Sequence, residues 1–309
     1  MPHYLDSTLC TLACEFVACS IKKLDPIIKA CEPFYAALAA TLVTLDAYVF
    51  FTAVLKSVRR SQGLLGVLVH SAIALWLLFC VLWNHTWCIF TPPGSTLQED
   101  SQRLQTAMTF EWRWCRKCNR PKPPLAHHCS ICKRCILKMD HHCPWMANCI
   151  GHYNYHYFFL YLFYMWVGAA YSVFMTYSHV PNVMQSRSSS WEGPSFLAFL
   201  TFLLAISVFL AMCGLLGWHV FLVLTGQGTI DAFSNYYAEK DTCQAGEVCT
   251  NPYNLGPVKN WQDTFDAHGR LWWLTWALPS LQKKRGNGWQ MSRIRVRPQR
   301  AASLSERAV

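Results

Sequence analysis

The sequence predicts an all-α integral membrane protein: four transmembrane helices with a small cysteine-rich module between spans two and three. Three observations predict it. Hydrophobic residues make up 53% of the 309 and charged residues only 14%, against roughly 25% charged in an average soluble domain. Four apolar runs are long enough to cross a bilayer, which takes about 20 helical residues. Seven of the 16 cysteines fall between Cys115 and Cys149, in the longest stretch between runs. The length would hold two soluble domains, but there is too little charge to coat their surfaces. An aromatic content of 15% excludes a largely disordered chain, and low glycine and charge exclude a collagen-like or heptad rod. The 27 Lys and Arg against 17 Asp and Glu leave a net charge of +10, pointing to anionic partners such as phosphates or lipid headgroups.

The first 33 residues carry no basic-then-apolar signal peptide and form a segment before the membrane. The first run, 34–55, contains one acid, Asp46; the second, 64–83, carries His70. Residues 56–63 read as a tight connection. The third run, 157–177, is aromatic and without formal charge. The fourth, 196–224, holds His219 and exceeds what a bilayer needs, so it tilts or extends into the headgroups. Residues 84–156 form a large loop, 178–195 a short serine-rich one, and 225–309 a C-terminal region with a basic tail. No internal repeat stands out. An even number of spans puts both termini and the large loop on one side. Most Lys and Arg lie there, which favours the cytosol. Lys56, Arg59 and Arg60 oppose this, but free thiols need a reducing compartment. Asp46 and His219 are functional candidates by position; for Asp46 a helix-packing hydrogen bond is the preferred account. Cys10, Cys14 and Cys19 read as buried or idle thiols, with acylation as the alternative. Asn84-His85-Thr86 fits the glycosylation pattern but falls on the cytosolic side, where it is unused. Lys283-Lys284-Arg285 with Arg293, Arg295, Arg297 and Arg300 make a basic tail suited to anionic lipid.

The loop reads Cys115-x2-Cys118, His127-His128-Cys129-x2-Cys132-x2-Cys135, Asp140-His141-His142-Cys143 and Cys149. Cysteines at C-x2-C spacing chelate one tetrahedral ion, and zinc takes thiolate and imidazole in closed sites. The histidines and the odd cysteine count argue against a disulfide framework. Two sites need eight ligands, which six cysteines and two histidines supply, leaving one cysteine over. Cys143 directly follows Asp140, His141 and His142, so the parts of an activated thiol nucleophile are present: imidazole to take the proton and carboxylate to orient it. Lys133, Arg134 and Lys138 favour the thiolate. These residues alone leave catalysis and a purely structural metal module side by side.

Residues 115–158 resemble the cysteine-rich domain of the DHHC family of protein S-acyltransferases (palmitoyltransferases). Asp140-His141-His142-Cys143-Pro144-Trp145 matches the namesake motif, and the match runs on through Asn148-Cys149-Ile150-Gly151, Asn154 and Tyr157-Phe158. The resemblance implies one zinc on Cys115, Cys118, His128 and Cys135 and another on Cys129, Cys132, His142 and Cys149. It implies Cys143 as acyl-accepting nucleophile, His141 as its base and Asp140 as the orienting acid. The pattern departs at Leu125, Ala147 and His156, where family members often carry Arg, Asn and Arg. Pro92-Pro93-Gly94 and Gly228-Thr229-Ile230-Asp231 look like weak versions of two further family motifs, with Thr229 and Asp231 in supporting roles. Asn251-Pro252-Tyr253 through Asn260-Trp261 resembles the C-terminal stretch, where Asn260 braces the catalytic module against the spans.

What this implies is transfer of a fatty acyl group from acyl-CoA, such as palmitoyl-CoA, to Cys143 and then to cysteines of membrane-associated protein substrates. Lys122, Lys133 and Arg134 are candidates to meet the acyl-CoA phosphates. The protein would sit in an endomembrane, endoplasmic reticulum or Golgi, with both termini and the zinc module cytosolic; no nucleic-acid partner is expected. The competing class is a non-catalytic membrane-anchored zinc-binding adaptor, which needs the ligands but not the spare thiol. A transporter is disfavoured because the runs lack charged or broken segments near their middles.

Overall fold

The computed structural model describes residues 4–96, 112–181, 194–242, 251–281 and 284–289. The side chains of Cys10, Cys14 and Cys19, together with Lys283, Arg293, Arg295, Arg297 and Arg300, lie outside the described residues. Helix α1 spans Tyr4–Val49, a wider π-helical turn follows at Phe50–Val54, and α2 spans Leu55–Phe90. Helices α3 (Tyr155–Thr176) and α4 (Pro194–Thr225) come after the cysteine-rich module. Helices α5 (Thr229–Thr242), α6 (Pro257–Phe265) and the single turn α7 (Trp272–Thr275) complete the described elements.

Among the described residues three helical stretches are long and apolar enough to cross a membrane: Leu24–Phe90, Tyr155–His179 and Phe196–Thr225. The first would be about 100 Å long if straight, at 1.5 Å per residue. It is not straight. Gly63 has φ 67° and ψ −160°, a conformation open to glycine and refused by residues with a Cβ. The chain doubles back there. Val67 and Ala74 pack into the same cluster as Phe50, Val54 and Val58. His70 Nε2 lies 3.2 Å from Gln62 Oε1. At the far end, the Tyr35 ring is 5.4 Å from that of Trp145, while His85 Nε2 lies 3.2 Å from the Trp145 carbonyl. The two arms therefore form a helical hairpin. The expected connection at 56–63 is corrected: Leu55 to Gln62 is helical and the reversal is confined to Gly63. Helix α2 also runs on to Phe90, past the expected end at residue 83, and buries Asn84 completely.

α3 packs against both α2 and α4. Three polar contacts within the apolar runs join one helix to another. Ser172 Oγ donates to Asp46 Oδ1 at 2.8 Å, His70 Nδ1 and Tyr171 Oη are 2.8 Å apart, and His219 Nδ1 and Tyr155 Oη are 3.0 Å apart. Asp46 thus makes the helix-packing bond expected of it.

The all-α expectation does not extend to the cysteine-rich module, which is built of three two-stranded antiparallel β-hairpins: β1 (Arg113–Cys115) with β2 (Arg120–Lys122), β3 (His127–Cys129) with β4 (Arg134–Ile136), and β5 (His141–Cys143) with β6 (Asn148–Ile150). Each hairpin turns through one left-handed residue just before its return strand: Asn119 at φ 51°, Lys133 at φ 55°, Ala147 at φ 47°. The hairpins repeat, contrary to the expectation of no internal repeat. Cys115, Cys129 and Cys143 open the three turns fourteen residues apart (115 to 129, 129 to 143), and His128 and His142 keep the same interval.

Asparagine tolerates the left-handed region far better than alanine does, because its short polar side chain bonds locally. Ala147→Asn is therefore expected to stabilise the module by about 1 kcal/mol, seen as a higher thermal unfolding midpoint of the purified protein. An unchanged or lower midpoint would show that Ala147 carries no backbone strain.

Candidate active site and metal centres

The repeat explains which residues meet. Hairpin one offers Cys115 and Cys118 from its turn, and hairpin two offers the cross-strand pair His128 and Cys135. These four bring their ligand atoms within 4.8 Å of one another. Hairpin two in turn offers Cys129 and Cys132, and hairpin three the cross-strand pair His142 and Cys149, with the same convergence. The Cys135–Cys118 sulfur distance is 3.7 Å and the Cys132–Cys149 distance 3.4 Å. Sulfurs about 2.3 Å from a tetrahedral zinc sit roughly 3.8 Å apart, so both clusters have the donor set and spacing for such an ion. In each, histidine presents Nδ1 to the sulfurs.

Hairpin three breaks the pattern at its turn. Cys143 occupies the position held by Cys115 and Cys129, but Met146 stands where Cys118 and Cys132 stand. Among the described residues no fourth hairpin supplies a second half-site. The Cys143 thiol therefore belongs to neither cluster, and it lies against His141 instead. His141 Nδ1 donates to Asp140 Oδ2 at 2.7 Å, which leaves Nε2 for the sulfur. Burial favours the neutral imidazole, but Asp140 and Cys143 outweigh it and push the His141 pKa up to about 9. Burial likewise opposes ionisation of Asp140, yet its contacts with His141 and the Thr229 amide hold the carboxyl below its usual range.

Thr229 meets Asp140 twice: its amide donates to Oδ1 at 2.9 Å and its hydroxyl to Oδ2 at 3.0 Å. Asp231 sits 3.2 Å from His127 Nε2. The start of α5 thus contacts Asp140 through Thr229 and His127 through Asp231. Asn260 donates to the Leu224 carbonyl at 2.9 Å and accepts from the Leu255 amide. It braces the C-terminal stretch against the end of α4, rather than gripping the module itself. The module is docked onto α2 by Asn148, whose Nδ2 points into the carbonyls of Cys88, Ile89 and Thr91 at 3.0–3.2 Å. Gly94 accepts from the Leu137 amide, which gives the Pro92-Pro93-Gly94 segment its place beside hairpin two. Leu125 and Ala147 adopt left-handed backbone, and His156 is half-buried.

Of the three cations expected at acyl-CoA phosphates, Lys122 lines a cleft of about 500 Å³ together with Arg113, His127, Asp231 and Tyr253. Lys133 and Arg134 do not line it; Lys133 is 74% exposed and 4.0 Å from Asp25. Lys284, expected in a basic lipid-facing tail, is instead buried and donates to the Thr264 carbonyl. Glu32 went unnoticed in the sequence. It is 1% exposed and its Oε1 accepts from His142 Nε2 at 2.7 Å.

Comparison with known proteins agrees with this geometry. The family profile described as DHHC palmitoyltransferase matches residues 108–236. Palmitoyltransferase ZDHHC16 of Mus musculus is 33% identical over 279 residues, covering 86% of this chain and 75% of the relative. Probable protein S-acyltransferase 16 of Arabidopsis thaliana is 30% identical over 242 residues, covering 72% and 82%. Probable protein S-acyltransferase 13 of the same plant is 34% identical over 236 residues, covering 69% and 73%. These relatives are named as transferases, which sets the adaptor reading aside. The chain belongs to the DHHC palmitoyltransferase family and is a protein S-acyltransferase.

Proposed function

We propose that Cys143 carries the acyl group between acyl-CoA and a protein substrate, with His141 as its base and Asp140 as the group that orients His141. The observation that carries this is the broken repeat: a cysteine at a ligand position with no metal half-site of its own, set against a histidine already bonded to a buried carboxylate. His141 Nε2 takes and holds the thiol proton, its pKa raised to about 9 beside Asp140 and Cys143, and Cys143 Sγ attacks the thioester carbonyl as the thiolate. The C–S bond to CoA breaks and the CoA thiolate leaves with that proton. In the second half, a substrate cysteine gives its proton to His141, attacks the acyl carbonyl and releases the Cys143 sulfur. Asp140, held by Thr229, keeps the ring oriented with Nε2 toward the sulfur throughout. Two zinc ions, on the two four-residue clusters, would supply the binding energy that folds the hairpins.

Cys143 is 6% exposed and belongs to an apolar cluster with Cys88, Phe158, Tyr161 and Tyr164, backed by Val43 and Leu77. An acyl chain leaving the thioester would run among these helices, where each buried methylene is worth about 0.8 kcal/mol. The phosphates would remain outside, with Lys122 and Arg113 as the cations lining the nearby cleft. Incubating the purified protein with palmitoyl-CoA and mapping a hydroxylamine-labile adduct to the peptide containing Cys143 tests the scheme.

The reading also requires four membrane crossings, two of them in the hairpin about Gly63, with the module and the C-terminal region in the cytosol beside CoA. The substrates would be membrane-associated proteins with cysteines near the bilayer, and an endomembrane is the proposed residence. Tags near Gln98 and Ser303 are expected to be cut by protease outside sealed cytosol-side-out vesicles, and a tag near Gln62 to be protected. The reverse pattern would place Cys143 away from acyl-CoA and overturn the scheme.

A further inference from the structure

Histidines that bind zinc through one ring nitrogen commonly donate the other N–H to a carboxylate, which fixes the tautomer and strengthens the ligand. His142 has both halves of this arrangement. Its Nδ1 lies 3.3–3.7 Å from the sulfurs of Cys129, Cys132 and Cys149. Its Nε2 lies 2.7 Å from Glu32 Oε1. The carboxylate comes from α1, more than a hundred residues earlier in the chain. Its second oxygen accepts from Lys29 Nζ at 2.7 Å. The Glu32 side chain is 2% exposed and that of His142 6%, so neither is an ordinary solvated surface charge. An acid buried this deeply is costly unless its partners are fixed. The first cluster differs: among the described residues, no carboxylate is within ion-pair distance of His128.

We propose that Glu32 is a positioning residue for the second cluster: it holds His142 in the Nδ1-ligating tautomer and so joins helix α1 to the hairpin that carries Cys143. This rests on the reading of the two clusters as zinc sites. It goes beyond it by making one of the two depend on a residue outside the cysteine-rich module. His142 lies between His141 and Cys143 in strand β5, so a loosened His142 disturbs both neighbours. Tyr35, one helical turn on from Glu32, packs on Trp145 in the same hairpin's turn, and Asp25 approaches Lys133 of hairpin two. One face of α1 thus bears on the module at three points.

The test uses the full chain in detergent micelles. A chromogenic chelator follows zinc release, while N-ethylmaleimide labelling with peptide mapping reports which cysteines are freed. E32A is expected to release one zinc about tenfold faster than the wild type, with Cys129, Cys132 and Cys149 alkylated faster and Cys115, Cys118 and Cys135 unchanged. E32Q keeps an oxygen that accepts the N–H but loses the charge. It is expected to fall between the two, which a general packing defect would not produce. Release of both zincs from E32Q at the wild-type rate, whether or not E32A folds, overturns the proposal. So does equal acceleration at both clusters. A wild-type chain that holds no zinc would instead overturn the metal reading itself and this inference with it.

Discussion

Replacing Cys143 by serine is expected to abolish formation of the acyl adduct and to reduce transfer at least roughly a thousandfold, while the protein still binds two zinc ions. The two halves of this result are linked by the repeat. In hairpins one and two, the first turn cysteine works with a second cysteine three residues later and with a His–Cys pair from the following hairpin. Cys143 has Met146 in place of the former and, among the described residues, no following hairpin for the latter. Removing its sulfur therefore takes nothing from either four-residue cluster. Serine is nearly isosteric and Cys143 is 6% exposed, so packing around it should survive. Zinc stoichiometry and acyl labelling measured on the same preparation check both halves. Equal labelling of wild type and variant would sink the nucleophile assignment. Loss of zinc from the variant would place Cys143 among the ligands and displace one of the eight.

Much of this site was legible because the residues that define it are close in sequence. Chelation by C-x2-C depends on a turn, and a turn is local. Counting ligands left one cysteine spare without any knowledge of the fold. The fourteen-residue period was also on view in Cys115, Cys129 and Cys143 and in His128 and His142. It is easy to miss because the connections between hairpins carry no repeated residues and the third unit lacks its second cysteine. What was not legible depends on contacts that sequence distance hides. Glu32 precedes the first apolar run and reads as an ordinary charge before a membrane helix. Only the hairpin about Gly63, with both arms meeting Trp145, brings its helix onto hairpin three. Lys284 reads as one of a basic run, yet its ammonium lies inside and donates to the Thr264 carbonyl. The connection at 56–63 was overdrawn for a simpler reason. Charge at Lys56, Arg59 and Arg60 reads as loop, whereas these residues have good helix propensity and one glycine suffices to turn the chain.

His141 and His142 are adjacent, yet their replacement by alanine is expected to have opposite signatures. Strand geometry sends neighbouring side chains to opposite faces, and β5 does so here: His142 turns Nδ1 to three sulfurs, His141 turns Nδ1 to Asp140. His142→Ala removes one of four ligands from the second cluster and leaves the buried Glu32 carboxylate without its imidazole. Because zinc binding energy is folding energy in a module this small, one zinc should be lost, and hairpin three, which carries the proposed nucleophile, should lose its fold with it. His141→Ala leaves all eight ligands in place. It should keep two zincs and a near-native thermal midpoint, yet lose about a hundredfold or more in transfer, the usual contribution of a positioned general base. Zinc content separates the two variants before any activity is measured. If His141→Ala released zinc while His142→Ala retained both ions, the ligand and base roles would have to be exchanged, and the repeat that pairs His142 with His128 would lose its meaning as a metal half-site.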